Sequence, residues 1–259
     1  VTPTLALIIS RQAEIDAFEP TPYYNIELES GNFKAKTDKI ESKEKAENIL
    51  ADCKNYDFAT CYRVACQAKE EKAPLLYDLT SLQRDANKKL GYTAQQTLNL
   101  VQSLYEKKLC TYPRTDARYL TSDMEKSIPE LINASANLIN RTITEYDELK
   151  VINNKKVTDH HAIIPTGVYP QGLTDLEKKV YDLVARHFIA IFYPDCKFNT
   201  TTVLGESAGV NFKATGKEIT EQGWRVVFAN EQNEEKEGDN DKLLPSFTVG
   251  ESGEHTPSL

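Results

Sequence analysis

The sequence predicts an α+β protein: one β-rich domain, split in sequence, with a mainly helical domain inserted between its halves. Three observations predict it. Strand-like runs occur between residues 23 and 69 and return between 196 and 229, while the stretch between them has helical periodicity. A polar break, Lys69-Glu-Glu-Lys-Ala-Pro74, separates the first β-rich stretch from the helical one. Neither β-rich stretch has strands enough to be stable alone, so both are expected in one sheet system.

The elements follow in order. Residues 3–18 read as a helix. Thr2 can cap it, Pro3 fits its first turn, and Leu5, Ile8, Ile9, Ala13 and Ile15 favour an apolar face. Phe18-Glu-Pro20 ends it. From Tyr23 to Glu29, Tyr24, Ile26 and Leu28 alternate with polar neighbours, as in a half-buried strand. Ser30-Gly31-Asn32 is a hairpin turn signal, and Phe33 to Thr37 returns. Ser42 to Cys53 is a short amphipathic helix. Phe58 to Lys69 is a strand with Ala59, Cys61, Arg63 and Ala65 on one face.

The helical middle follows. Thr80 or Ser81 caps a helix that runs to Leu90, and Gly91 stops it. Thr93 caps a second, to about Lys108. The pair resembles a helix-turn-helix, with Lys88, Lys89, Lys107 and Lys108 at its helix ends. Such pairs also occur as plain packing units. Ser122 to Asn140 reads as a helix interrupted at Pro129. Val157 to Pro165 reads as extended. Thr174-x-x-Glu177 is a capping box for a helix ending near Phe192. Cys196 to Leu204, Gly209 to Thr215 and Gly223 to Ala229 read as strands. Residues 230–242 form an acidic, Asn-rich linker.

Bulk properties exclude several classes. No run approaches the roughly 18 apolar residues of a membrane span. The five cysteines are scattered and form no C-x-x-C pair, which argues against a zinc site or a disulfide framework. Reduced thiols and the lack of a leader peptide point to the cytoplasm. The net charge of −8 is unlike a nucleic-acid binder. Its distribution is uneven, however. Between Lys72 and Leu120, eight cations face four anions, whereas Glu231 to Glu254 carries eight acids against Lys236 and Lys242. Both stretches are also compatible with plain solvated surface.

The basic stretch contains Leu109-Cys-Thr-Tyr112-Pro-Arg114-Thr115-Asp116-Ala-Arg118-Tyr-Leu120. Pro113 disfavours helix at Tyr112, so Tyr112 sits on extended backbone after a helix. Arg114, two residues on, leaves on the same face. A phenol beside a guanidinium suits attack on a phosphodiester. Arginine can fork onto two phosphate oxygens. Phenols ionise near pH 10 and leave more readily than alkyl alcohols, so a tyrosyl phosphodiester can be reversed by a sugar hydroxyl. A Tyr near an Arg is also a common packing or cation–π pair, and chemistry alone leaves both readings open. His160 and His161 point to opposite faces if the segment is a strand, so they do not readily share a metal. One is expected to face the site and the other to pack or meet water. Asp239-Asn-Asp241 is better explained by a solvated loop than by a metal site.

The run TYPRTDARYL resembles the active-site signature of type IA DNA topoisomerases, in which the tyrosine forms a 5′-phosphotyrosyl link to DNA. Three further stretches resemble the same family in the same order. These are the run from Thr2 to Ile15, the run Leu75-Leu-Tyr-Asp-Leu-Thr-Ser-Leu-Gln-Arg-Asp-Ala-Asn-Lys88, and Asp159-His-His-Ala-Ile-Ile-Pro-Thr166 in its topoisomerase III form. Two departures stand out. Ala117 replaces the usual Ser, and Val1 stands where Arg-Val-Gln usually precedes the Thr-Pro-Thr.

The resemblance implies a fold, a mechanism and partners. The β-rich arch would comprise residues 21–70 and 196–229. A winged-helix-like domain, 71–195, would carry the tyrosine. Residues 1–20 would come from a preceding ring domain, and 230–259 would be an acidic linker and the start of a returning segment. Tyr112 would be the nucleophile, Arg114 would stabilise the phosphate and His160 would assist. Thr115, Arg118, Lys88 and Lys89 would bind DNA or, for Thr115 and Arg118, orient the loop. Asp116 would pin an arginine. The family's Mg²⁺ site lies on a Toprim domain whose acidic cluster is not found here, so this chain is expected to hold the nucleophile and no metal site. Its partners would be single-stranded DNA and the Toprim and ring-closing domains of the same polypeptide, in a cytoplasmic, nucleoid-associated bacterial enzyme. The rival expectation is a non-catalytic, helix-turn-helix-like DNA-binding module.

Overall fold

A computed structural model describes residues 2–31, 33–138, 143, 148–228 and 243–259. The chain divides into two compact units, residues 1–67, 200–217 and 238–259, and residues 68–199 and 218–237.

The first unit is built on a sheet. It contains β1 (Glu27–Ser30), β2 (Phe33–Lys36), β6 (Ser252–Glu254), β7 (Thr256–Ser258) and most of β3 (Phe58–Glu71), β4 (Cys196–Ser207) and β5 (Val210–Glu221). Strand order is β6-β3-β4-β5-β2-β1-β7, so strands from both β-rich stretches share one sheet. The hairpin of β1 and β2 pairs Ser30 with Phe33, and Gly31 supplies the positive φ of its tight turn. Strands β6 and β7 flank a single residue, His255, yet pair with β3 and β1, at opposite ends of the order. The sheet therefore curls until its two edges meet at His255, which leaves a nearly closed antiparallel barrel. Helix α2 (Lys43–Lys54), capped by Ser42, packs Ala46, Ile49, Leu50 and Cys53 against Ile26, Leu28 and Phe212.

The last residues, read as linker and returning segment, supply the two strands that close the sheet. Their three-residue length gave no alternation to read. Helix α1 (Thr2–Asp16) forms, but it buries none of its residues, and Ile8 is 61% exposed.

The second unit is helical. Its α3 (Leu79–Leu90) and α4 (Ala94–Glu106) pack on α6 (Asp175–Ala190) around Leu82, Val101, Leu104, Tyr181 and Val184. A second core gathers Leu120, Ile128, Ile132, Ile164, Phe188 and Val227. Burying a side chain of this size contributes about 1.5–3 kcal/mol. Gly91 ends α3 in the left-handed conformation (φ 72°) and Thr93 caps α4, both as the sequence indicates, and Gln96 completes a capping box with Thr93.

Three readings need correction here. Asp78, not Thr80 or Ser81, caps α3, because its carboxylate accepts from the Ser81 amide in a reciprocal box. Pro129 does not interrupt a helix but sits in the first turn of α5 (Ile128–Leu138), where its missing N–H costs nothing, and a 3-10 turn over Ser122–Ser127 precedes it. Gly223–Phe228 is a 3-10 turn rather than a strand. Gly223 approaches the carbonyls of Pro194 and Asp195 so closely that a Cβ would lie 2.5 Å from each oxygen. Trp224 then donates its amide to Pro194 O and its indole N–H to Glu71 O, and Val227 enters the helical core. The expected linker at 230–242, with Asp239 and Asp241, lies outside the described residues.

Candidate active site

Helix α4 delivers the chain to Tyr112. Lys107 caps the helix, and Lys108 takes a left-handed φ of 61°, a cost of about 1 kcal/mol for a residue with a Cβ. The chain then runs beside residues 162–166. Thr111 N–H donates to Ile164 O at 3.0 Å, and Thr166 N–H donates to Leu109 O at 3.1 Å. The Thr111 hydroxyl donates to Ala162 O at 2.9 Å and accepts from the Ile164 amide at 3.0 Å. These bonds fix the register that brings the Tyr112 and His160 rings together. Their centroids are 4.3 Å apart with planes tilted by 41°. The Tyr105 ring, from the last turn of α4, meets Tyr112 edge-on at 5.4 Å. The sequence offered no reason to single out Tyr105, beyond its place in the last turn of the helix.

The rest of the loop is stitched down from below. Thr115, only 8% exposed, donates its hydroxyl to His160 O at 2.9 Å and accepts from the Ala117 amide at 3.0 Å. Its carbonyl accepts from Leu79 N–H. Arg118 donates Nε to Leu76 O at 3.0 Å and a terminal nitrogen to Leu75 O. Asp116 is exposed and pins no arginine among the described residues, because the Arg118 fork is already taken by backbone carbonyls. Arg114 is exposed and finds no ion-pair partner among the described residues. Its guanidinium is therefore open to an incoming anion. Lys88 and Lys89 stand elsewhere, in the last turn of α3, with Lys89 Nζ 4.1 Å from the centre of the Phe228 ring.

The segment carrying the histidines is extended only from Ala162 on, where Ile163 pairs with Tyr77 and Pro165 with Cys110. His160 is exposed on its outer side, and His161 turns Nδ1 toward Ala162 O. If His160 acts on phosphate, His160→Ala in the full-length enzyme slows DNA cleavage about 100-fold with thermal stability nearly unchanged. His161→Ala leaves cleavage unaltered. Equal stability losses in both variants would mean a purely structural pair.

Two buried groups that the sequence did not single out as a pair brace this framework. Glu177 closes the capping box of α6 with Thr174 and also receives Lys107 Nζ at 2.7 Å and the Ser103 hydroxyl at 2.6 Å. Those donors, Lys107 foremost, hold its carboxyl down at about 2. The same Lys107 caps the helix that leads to Tyr112. His187 is buried, stacks on Tyr77 at 3.5 Å, and shares a 2.7 Å hydrogen bond between Nε2 and Leu75 O. Burial pushes its imidazole down to about 4. Both folded values lie below the ordinary ones, so both stabilise at neutral pH and fail in acid. The His187 contribution is lost as pH falls from about 6.5 to about 4, and that of Glu177 from about 4.5 to about 2. Urea unfolding across this range should show both declines. Glu177→Gln should remove the lower one and lower stability at pH 7 by about 1–3 kcal/mol.

Among the described residues no three His, Cys, Asp or Glu side chains converge. Asp116 and Asp159 are exposed carboxylates. Cys110, next in sequence but one to Tyr112, is buried, and its thiol is pushed up to about 12, which keeps it un-nucleophilic.

Comparison with known proteins identifies the family. The family described as DNA topoisomerase matches residues 1–257. DNA topoisomerase 3 of Bacillus subtilis (strain 168) is 38% identical over 97% of this chain, and that of Bacillus licheniformis is 36% identical over 97%. The chain spans about 37% of the length of these relatives. The structure of full-length topoisomerase I from Thermotoga maritima superposes with a TM-score of 0.73 at 24% identity, over 98% of this chain and 43% of that one. That likeness concerns the fold. No described helix is long and apolar enough to cross a membrane. With a family match over nearly its whole length and the Tyr112 signature inside that match, the chain belongs to the type IA DNA topoisomerase family.

Proposed function

We propose that this chain is the strand-cleaving gate portion of a bacterial topoisomerase III-like enzyme. The observation that carries this reading is the Tyr112–His160 contact, built by segments some fifty residues apart, with Arg114 two positions on and without an ion-pair partner among the described residues. The Tyr112 phenol attacks a phosphodiester of single-stranded DNA. A bond forms between phosphorus and the phenolic oxygen, the bond to the 3′-oxygen breaks, and a 5′-phosphotyrosyl link results. The phenol loses its proton as the new bond forms and the departing 3′-oxygen takes one up; resealing reverses the exchange, the 3′-hydroxyl attacking phosphorus and the phenol leaving with a proton. Another strand passes through in between. Arg114 forks onto the non-bridging oxygens and His160 donates a hydrogen bond to them.

Thr115 and Arg118 act in this reading by holding the loop, since their donors are already engaged within the chain. Lys88 and Lys89 offer charge to adjacent phosphates. The intact enzyme would take Mg²⁺ at carboxylates of a Toprim domain and be closed by ring domains of the same polypeptide, in the bacterial cytoplasm. The β-rich unit would serve as the arch, and the helical unit as the winged-helix-like insertion bearing the nucleophile. Arg114→Lys tests the reading. It keeps the charge and loses the fork, so cleavage of a single-stranded oligonucleotide by the full-length enzyme should fall about 10- to 100-fold with folding unchanged. Full activity in Arg114→Lys and Arg114→Ala alike would sink the role given to Arg114.

A further inference from the structure

The Tyr112 loop and the His160 segment both hang from one short strip, Leu75 to Leu79. Leu76 O accepts Arg118 Nε at 3.0 Å, and Leu75 O accepts a terminal nitrogen of the same guanidinium at 3.4 Å. Tyr77 O accepts the Ile163 amide at 2.8 Å. Leu79 N–H donates to Thr115 O at 3.1 Å, and the Thr115 hydroxyl continues to His160 O at 2.9 Å. The approach of the Tyr112 and His160 rings therefore depends on where this strip lies as well as on the Thr111 bonds.

The strip is itself held from α6. His187 Nε2 lies 2.7 Å from Leu75 O. A carbonyl only accepts, so Nε2 carries the proton. Burial keeps the imidazole neutral at pH 7, so this is the one N–H of the ring. The same ring lies flat on Tyr77, with centroids 3.5 Å apart and planes 15° from parallel. The Tyr77 hydroxyl donates in turn to Asp85 Oδ2 on α3 at 2.6 Å. His187 thus grips the strip twice, by its backbone at Leu75 and by its side chain at Tyr77. The buried neighbours of His187 on α6, Val184, Phe188 and Ile189, are plain hydrocarbon. A histidine among them carries a desolvation cost that its hydrogen bond offsets. What it adds over phenylalanine is the placement of one carbonyl.

We propose that His187 is a positioning residue for strand cleavage, which through Leu75 O and the Tyr77 ring sets the strip that holds Tyr112 against His160. The inference rests on the reading of Tyr112 as the nucleophile. Reaction geometry is sensitive to such supports, because a displacement of about 1 Å can cost about 100-fold in rate. His187 is buried and offers nothing to DNA directly, so its loss should appear in the rate constant of cleavage and not in DNA affinity.

The test measures single-turnover cleavage of a single-stranded oligonucleotide by saturating full-length enzyme, with DNA affinity measured separately. His187→Phe keeps a ring on Tyr77 and removes the donor. Its rate constant should fall about 10-fold while affinity stays within about twofold. His187→Gln places an amide N–H near the position of Nε2 and should keep the rate within about threefold of the parent enzyme. His187→Asn has the same amide on a shorter stem and should not. This Gln–Asn pair decides the matter if His187→Phe does not fold. Arg118→Met removes the other donors to Leu75 O and Leu76 O. Combined with His187→Phe, it should cost less than the product of the two single losses, since both act through one strip. A lowered melting temperature with an unchanged rate constant in His187→Phe would mark a packing residue only. That result, equal rates in the Gln and Asn variants, or multiplicative losses in the double variant would each overturn the proposal. A parent enzyme without an adduct at Tyr112 refutes the nucleophile reading itself, whereas an adduct at Tyr112 whose rate ignores His187 refutes this inference alone.

Discussion

Tyr112→Phe in the full-length enzyme abolishes the covalent DNA adduct on denaturing gels and leaves single-stranded DNA binding within about twofold. The substitution removes one oxygen, the atom that attacks phosphorus, and keeps the ring. The contacts that seat this ring are aromatic, with His160 at 4.3 Å and Tyr105 at 5.4 Å, so Phe can occupy the same place. Loss of a nucleophile cannot be compensated by binding, because binding energy lowers the barrier only when a reacting atom is present. DNA affinity rests instead on phosphate contacts from cations, which the substitution leaves alone. Binding lost in parallel with the adduct would mean that the phenol serves as a DNA contact. An adduct that persists would place the nucleophile elsewhere in the chain.

The 259-residue chain by itself should neither relax supercoiled plasmid nor form a covalent adduct. It should bind single-stranded DNA weakly, with affinity falling as salt rises. Phenols ionise near pH 10, so attack at neutral pH requires a base or a strong positive field, and the leaving 3′-oxygen requires a proton. Arg114 can stabilise charge but cannot readily give up a proton. His160 is the titratable side chain placed against the phenol, and no carboxylate cluster that could orient a cation lies among the described residues. Adding a separately purified Toprim-containing portion with Mg²⁺ should restore adduct formation. Robust relaxation by the chain alone, with contaminating topoisomerase excluded, would locate the whole chemistry within these residues.

The sequence by itself determined most of the local elements and the family to which the chain belongs. The Tyr112 stretch, the Thr93 cap, the Thr174 capping box, the Gly91 helix stop and the Phe58 strand are short-range signals. Side-chain spacing, a cap or a glycine acts within a few residues, so a reader of the chain can find them. Readings failed where tertiary contacts outweighed local preference. Trp224-Arg-Val-Val-Phe228 has the composition of a strand, yet the Gly223 approach to Pro194 and the burial of Val227 turn it into a 3-10 turn. Strands β6 and β7 carry no pattern of their own and exist because β3 and β1 offer unpaired edges.

The candidate site divides the same way. That Tyr112 and Arg114 lie close along the chain is written in positions two apart. That His160 meets Tyr112 depends on Thr111 bonding to both Ala162 and Ile164, a register set across some fifty residues. The commitment of Arg118 to the Leu75 and Leu76 carbonyls, the edge contact of Tyr105, and the reach of Lys107 to Glu177 likewise appear only once distant segments are in place. Hydrogen-bond partners and ring contacts are properties of space. The sequence names the groups that can make them, and packing decides which pairs form.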